Sequence, residues 1–149
     1  MNSQHRIVVG VDGSQPSKAA LAWAVGQAEL TNATVDAVIA WQYPIAFAGA
    51  PFAPIGSVMD TDFAAAAEQV LDAAIRETVD SSGSIKVSAT TREGNPAKIL
   101  LEAANGADML VVGSRGHGGL TEALLGSVSQ HCVHHAPCPV VIIRGAKAG

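Results

Sequence analysis

Two runs in this chain, Ile7-Val8-Val9-Gly10-Val11 and Met109-Leu110-Val111-Val112, are apolar at every position. A strand with one face in water alternates apolar and polar residues, whereas a strand that is apolar throughout must be covered on both faces. A parallel sheet flanked by helices meets that requirement, and the rest of the chain alternates accordingly.

Asp12-Gly13-Ser14 closes the first run as a turn. Pro16 stands near the start of an Ala-rich helical stretch, Ser17 to Thr31, where a missing N–H costs nothing. Thr34–Trp41 reads as a second strand. From Gln42 to Asp60 three prolines and two glycines among small apolar residues predict a long loop. Asp60-Thr61-Asp62 supplies cap and acidic residues for the next helix. In that helix Ala67, Val70, Leu71, Ala74, Ile75 and Val79 share one apolar face. Ile85 to Thr91 alternates Ile85, Val87 and Ala89 with more polar neighbours, as in a strand with one exposed face. Asn95-Pro96 opens a helix that runs to about Asn105-Gly106. Asp108–Gly113 is a strand, Thr121 and Glu122 start the last helix, and Pro139–Ile143 is the closing strand. In the last helix Leu124, Leu125, Val128 and Cys132 fall on one face. The order β-α-β-loop-α-β-α-β-α-β predicts right-handed crossovers and a doubly wound, five-stranded parallel α/β sheet in one domain spanning 1–149.

The charge of the 149-residue chain is −4, which argues against nucleic acid or an anionic membrane as its main partner. No apolar run reaches the roughly 18 residues that span a bilayer. The N-terminus leads into a strand without a signal-peptide pattern, so the cytoplasm is the expected address. Cys132 and Cys138 have neither C-x-x-C nor paired zinc-ligand spacing and read as two small, semi-buried residues of a reducing compartment.

In an open doubly wound sheet, ligands bind beyond the carboxyl ends of the strands where the strand order reverses. That places the first turn, Gly10 to Ser14, opposite the fourth, Gly113 to Gly119. Gly10, Gly13, Gly113, Gly116, Gly118 and Gly119 fall in these segments, where glycine lets backbone N–H groups approach a phosphate. No G-x-x-x-x-G-K-[ST] is present, which excludes a P-loop. Neither turn is G-x-G-x-x-G, since Thr121 stands where the last glycine of the second would be. What is present is G-x2-G-x9-G-[ST], formed by Gly113, Gly116, Gly126 and Ser127.

This pattern resembles the nucleotide-binding branch of the universal stress protein family. The likeness covers the whole chain: the early V-G-V-D-G-S at Val9–Ser14, the long second loop, the glycine motif, and the closing C-P-V-V-I-I at Cys138–Ile143. The resemblance implies strand order 3-2-1-4-5 with ATP across the ends of the first and fourth strands. It implies that Asp12 accepts hydrogen bonds from the ribose or adenine side, with Gly10 and Val11 lining the approach. Ala40 and Trp41 would offer backbone contacts to the adenine edge, and Val112 and Gly113 would flank the ribose. Gly116, Gly126, Ser127, Val128 and Ser129 would cradle the phosphates through N–H groups and hydroxyls. Gly126-Ser127 lies inside the helix expected from Thr121, so that helix begins or restarts there if its N-terminus faces the phosphates. The family also implies a homodimer through the last strand, Val140–Ile143, an edge that pairing would protect.

Each residue has a plainer reading. Asp12 could cap the first helix, Gly10 could ease packing, and Trp41 reads more readily as core than as a stacking platform. Ser114, Arg115, His117 and Gly118 lie in the phosphate turn; Arg115 could pair with polyphosphate, while solvated loop positions are the alternative for Arg115 and His117. His131, His134 and His135 occupy the end of the last helix, where the dipole favours histidine, and no acidic or cysteine partner completes a metal set. With no lysine in the phosphate turn and no paired carboxylates, the expectation is a nucleotide-binding stress-response protein rather than an enzyme. Asp12 is placed to help hold Mg2+ through water. Slow ATP hydrolysis or phosphoryl transfer, and binding of another adenylate such as cyclic AMP, are the alternatives.

Overall fold

The computed structural model describes residues 5–42, 62–79, 83, 85–114 and 126–144. The expected loop beyond Gln42, and Arg115, Gly116, His117, Gly118, Gly119, Thr121, Glu122, Leu124 and Leu125, lie outside the described residues. Along the chain run β1 (Arg6–Gly10), α1 (Gln15–Thr31), β2 (Thr34–Trp41), α2 (Phe63–Thr78), β3 (Val87–Glu93), α3 (Pro96–Ala103), β4 (Met109–Gly113), α4 (Ser127–His135) and β5 (Val140–Ile143). The five strands form one parallel sheet in the order β3-β2-β1-β4-β5. Strand order therefore reverses between β1 and β4.

The apolar strands are buried on both sides, as their composition demands. Ile7, Val9, Val11, Val35, Ala37, Ile39 and Val111 pack under α1 and α2 against Ala20, Leu21, Ala24, Leu71 and Ala74. The alternate residues Val8, Val38, Leu110 and Val112 pack on the other side against Ile99, Leu100, Ala104 and Cys132. Three helices start on the expected type of cap. Ser14 accepts from Ser17 N–H, Asp62 from Ala65 N–H and Asn95 from Lys98 N–H, with Pro16 and Pro96 in their first turns.

Two expectations need correction. The third strand starts at Val87 and reaches Glu93, and its alternation fails: Ala89 is exposed while Thr90 and Thr91 are both half-buried. As a border strand β3 has a neighbour on one side only, and its small side chains gain little cover there. In α2 Val70 is 38% exposed rather than inward. The buried arc is the narrower Ala67, Leu71 and Ala74, and Val79 lies past the helix as its extended C-cap. By contrast, α4 starts at Ser127 with Gly126 as its cap, the place where the glycine motif asked for a helix to begin or restart.

Both cysteines are free; Cys132 is buried, and desolvation pushes its thiol up to about 11. Gly26 lies inside α1 with nothing within 4 Å of the place a Cβ would occupy. Glycine in a helix interior costs roughly 0.5–1 kcal/mol relative to alanine. Gly26→Ala is therefore expected to stabilise the fold by about that amount, read as a higher denaturant midpoint at unchanged slope.

Candidate functional site at the switch point

The reversal between β1 and β4 brings two turns and a helix start to one end of the sheet. After β1 the chain turns at Gly13, whose φ of +85° suits glycine. Asp12 Oδ1 accepts from Ser14 N (2.9 Å) and Ser14 Oγ (2.5 Å), and Asp12 N–H donates to Ser17 Oγ (3.2 Å). Ser17 Oγ in turn donates to Ser14 O at 3.0 Å. The cap of α1 is thus Ser14; Asp12 braces that cap and keeps an exposed carboxylate at the rim. Ser14 and Ser17, nearly buried, hold this end of the sheet together and were not singled out in the sequence. Their S-x-x-S spacing at a helix start was the available signal.

The end of β4 lies directly under α1. A Cβ at Gly113 would come within 2.7 Å of the Pro16 carbonyl carbon and 2.9 Å of Ser17 N. The glycine is required there by backbone packing before any ligand is considered. At Gly10 a Cβ would meet Leu100 Cδ1 at 2.7 Å, so the packing reading of Gly10 has a definite partner.

Beyond β4 the chain returns as α4, tied back twice to the strand it left. Gly126 N–H donates to Ser114 O at 2.8 Å, and Ser129 Oγ donates to Gly113 O at 2.5 Å. Ser114 N–H is itself held by Ile143 O of β5 at 2.8 Å. These bonds seat the N-terminus of α4 at the carboxyl end of β4. Gln130 N–H is taken by Gly126 O (3.0 Å), and Gly126 has no side chain with which to cap the first turn. The N–H groups of Ser127, Val128 and Ser129 are therefore those an α-helix does not bond internally, and they carry the positive end of its dipole. The Ser129 hydroxyl donates within the protein and serves as a strut.

The end of β2 separates two residues that the sequence treated alike. Trp41 O accepts from Gly94 N–H (2.8 Å), so the peptide groups of Trp41 face β3, and its ring packs on the core under α1 and α2. Val38 O accepts from Val11 N–H on the opposite side. Peptide groups alternate along a strand between its two neighbours. Ala40, in phase with Val38, thus turns its N–H and C=O toward the β1 side, one step past Val11. Val11 and Val112 are core residues, 4% and 2% exposed. The structure brings Gly10, Asp12, Ala40, Gly113, Ser114, Gly126, Ser127, Val128 and Ser129 to this end of the sheet.

A model of the universal stress protein family matches residues 4–144. A universal stress protein of Mycobacterium tuberculosis is 33% identical over 149 residues, covering 97% of this chain and 50% of that protein. One from Thermus aquaticus is 34% identical, covering 93% of this chain and 97% of its own length. The chain spans about half the length of the mycobacterial relatives it matches. Among solved structures, UspA from Lactobacillus plantarum superposes with a TM-score of 0.75 at 23% identity, covering 96% of this chain and 100% of its own. A universal stress protein in complex with cAMP gives 0.61 at 27% identity, covering 97% and 100%. One from Archaeoglobus fulgidus in complex with dAMP gives 0.60 at 17% identity, covering 96% and 99%.

The two strand-end glycines should differ in cost. Gly113→Ala opposes backbone and is expected to lose about 2–3 kcal/mol of unfolding free energy, whereas Gly10→Ala opposes a side-chain tip that can rotate and loses about 1 kcal/mol. Equal losses in urea titration would contradict the packing described.

Proposed function

The chain belongs to the universal stress protein family, and on that premise we propose that it binds ATP across the ends of β1 and β4. The observation that carries this reading is the double tether of α4. It holds a helix start whose cap residue has no side chain, with three N–H groups that the helix itself does not bond, beside the end of β4. Such a terminus suits a phosphate chain. In this reading Ser127, Val128 and Ser129 receive the phosphates through backbone N–H groups, and the Asp12 carboxylate takes the ribose hydroxyls. Ala40 offers one donor and one acceptor to the adenine edge, while Trp41 bonds Gly94 on the β3 side and packs on the core. Gly116 completes the motif in sequence and lies outside the described residues. Among the described residues no group of three or more His, Cys, Asp or Glu could hold a metal. In this reading Mg2+ accompanying the nucleotide would be held by phosphate oxygens and water, with Asp12 reaching it only through water.

The proposed role is binding without turnover, in which nucleotide occupancy is the signal a partner reads. Cyclic AMP is the second reading, favoured by the relative solved with that ligand. Ser127→Pro separates binding from folding. Proline is tolerated at the first helical position, and the extended backbone of Gly126 (φ −66°, ψ 162°) suits a residue before proline. The substitution deletes one N–H together with the Ser127 hydroxyl and leaves the helix intact, and Ser127→Ala, which removes the hydroxyl alone, tells the two losses apart. ATP affinity by calorimetry is expected to fall roughly ten- to a hundredfold, the worth of about 1.5–3 kcal/mol for a hydrogen bond to a charged group, with an unchanged melting temperature. In competition among ATP, ADP, AMP and cyclic AMP, tighter cyclic AMP binding would overturn the ATP reading.

We extend the proposal to a homodimer through β5, whose outer edge is open in the sheet order. Lys18 bonds Glu77 of α2 and so marks the side of α1 that faces its neighbour helix. At about 100° per residue, Trp23 and Leu30 lie about 140° and 120° around from Lys18. They are 37% and 83% exposed, and α1 packs over β5, whose Val141 and Ile143 are half-buried at the border. Light scattering is expected to report two chains for the parent and one for Trp23→Glu; a monomeric parent would refute the dimer.

A further inference from the structure

The C-terminal end of α4 carries a feature that neither nucleotide binding nor self-association uses. His131, His134 and His135 are all exposed. Spacing alone assigned them to the helix dipole. The structure adds that the rings of His131 and His135 lie with centroids 4.6 Å apart, tilted by 43°. His134 and His135 are farther apart, at 6.3 Å, and as sequence neighbours they leave the helix in different directions.

Two imidazoles one helical turn apart can direct a nitrogen each at a common point, the arrangement by which paired histidines at i and i+4 bind zinc. Neutral imidazole is the commonest metal ligand, and it suits zinc and its transition-metal neighbours rather than magnesium or calcium. The position favours a cation, because the last carbonyls of a helix carry its negative end. Cys132, between the two histidines in sequence, is wholly buried in the core cluster with Val8, Ile99 and Leu110, not on the exposed face that carries them. No group of three or more ligating residues occurs among the described residues.

We propose that His131 and His135 form a bidentate surface site for a borderline divalent transition-metal ion, Zn2+ being the probe, with water completing the coordination. The ion clamps the last turn of α4 and is separate from any Mg2+ travelling with a nucleotide at the other end of that helix.

The test is calorimetric titration of the full chain, free of any added histidine tag, with ZnCl2 in a non-chelating buffer. The expected result is a saturable site that His131→Asn and His135→Asn each weaken at least tenfold, while His134→Asn changes it less than twofold. Excess Mg2+ is expected not to compete. The site is refuted if the parent does not bind Zn2+, if either of the first two variants binds as the parent does, or if His134→Asn weakens binding as much as they do. All three positions are exposed, and circular dichroism of each variant should match the parent.

Discussion

Two carbonyl groups at the end of β4 determine where the candidate site of this molecule is built. Gly113 O accepts the Ser129 hydroxyl and Ser114 O accepts Gly126 N–H. Both bonds join segments that are more than ten residues apart in sequence, and both are made by residues that are almost wholly buried. A buried carbonyl or hydroxyl without a partner costs about 1–3 kcal/mol. The helix start and the strand end therefore satisfy one another, and separating them would orphan groups on each side. The packing of Gly113 under Pro16 belongs to the same constraint, because it lets α1 close over the strand that α4 is tied to.

The framework was legible because burial on both faces leaves a strong mark in composition. β1 and β4 could be read directly, and prolines and short polar side chains announced the starts of α1, α2 and α3. The strand order came from the family resemblance carried by the glycine motif. β3 was less legible. Its residues Val87 to Glu93 alternate only partly, and at a border where cover is incomplete the pattern carries little information about which side chains turn inward. The start of α4 was legible only through the motif, which asked for a helix to begin or restart at Gly126-Ser127. Leu124, Leu125, Val128 and Cys132 continue a helical period across Gly126, and periodicity cannot register a break that hydrogen bonds impose.

In the site, residue types were easier to read than roles. Asp12 and Ser129 were marked as ligands by the family resemblance, yet each has a structural partner. Asp12 Oδ1 accepts from Ser14, and the Ser129 hydroxyl donates to Gly113 O. Ala40 and Trp41 were paired as backbone contacts, and only the hydrogen bonds of Val38 and Trp41 to opposite neighbours separate them. Such distinctions depend on which way a peptide group points, and a one-dimensional pattern does not encode that at a strand end.

The helix at the centre of these readings is poorly equipped to hold itself. α4 has nine residues and buries only two of them, Ser129 and Cys132. Isolated helices of that length are marginal in water, and the apolar anchorage of Cys132 is small. Its place is fixed by hydrogen bonds at its first turn and by packing against β4 and α3 on the Cys132 side. An anion at the first turn would neutralise the dipole end that Gly126 has no side chain to cap, and a cation at the last turn would do the same at the other end. The ordering of α4 should therefore respond to ligands at both ends. The tether to Gly113 and Ser114 would pass a change at the first turn to the ends of β4 and β5, at the border where a second chain would pair.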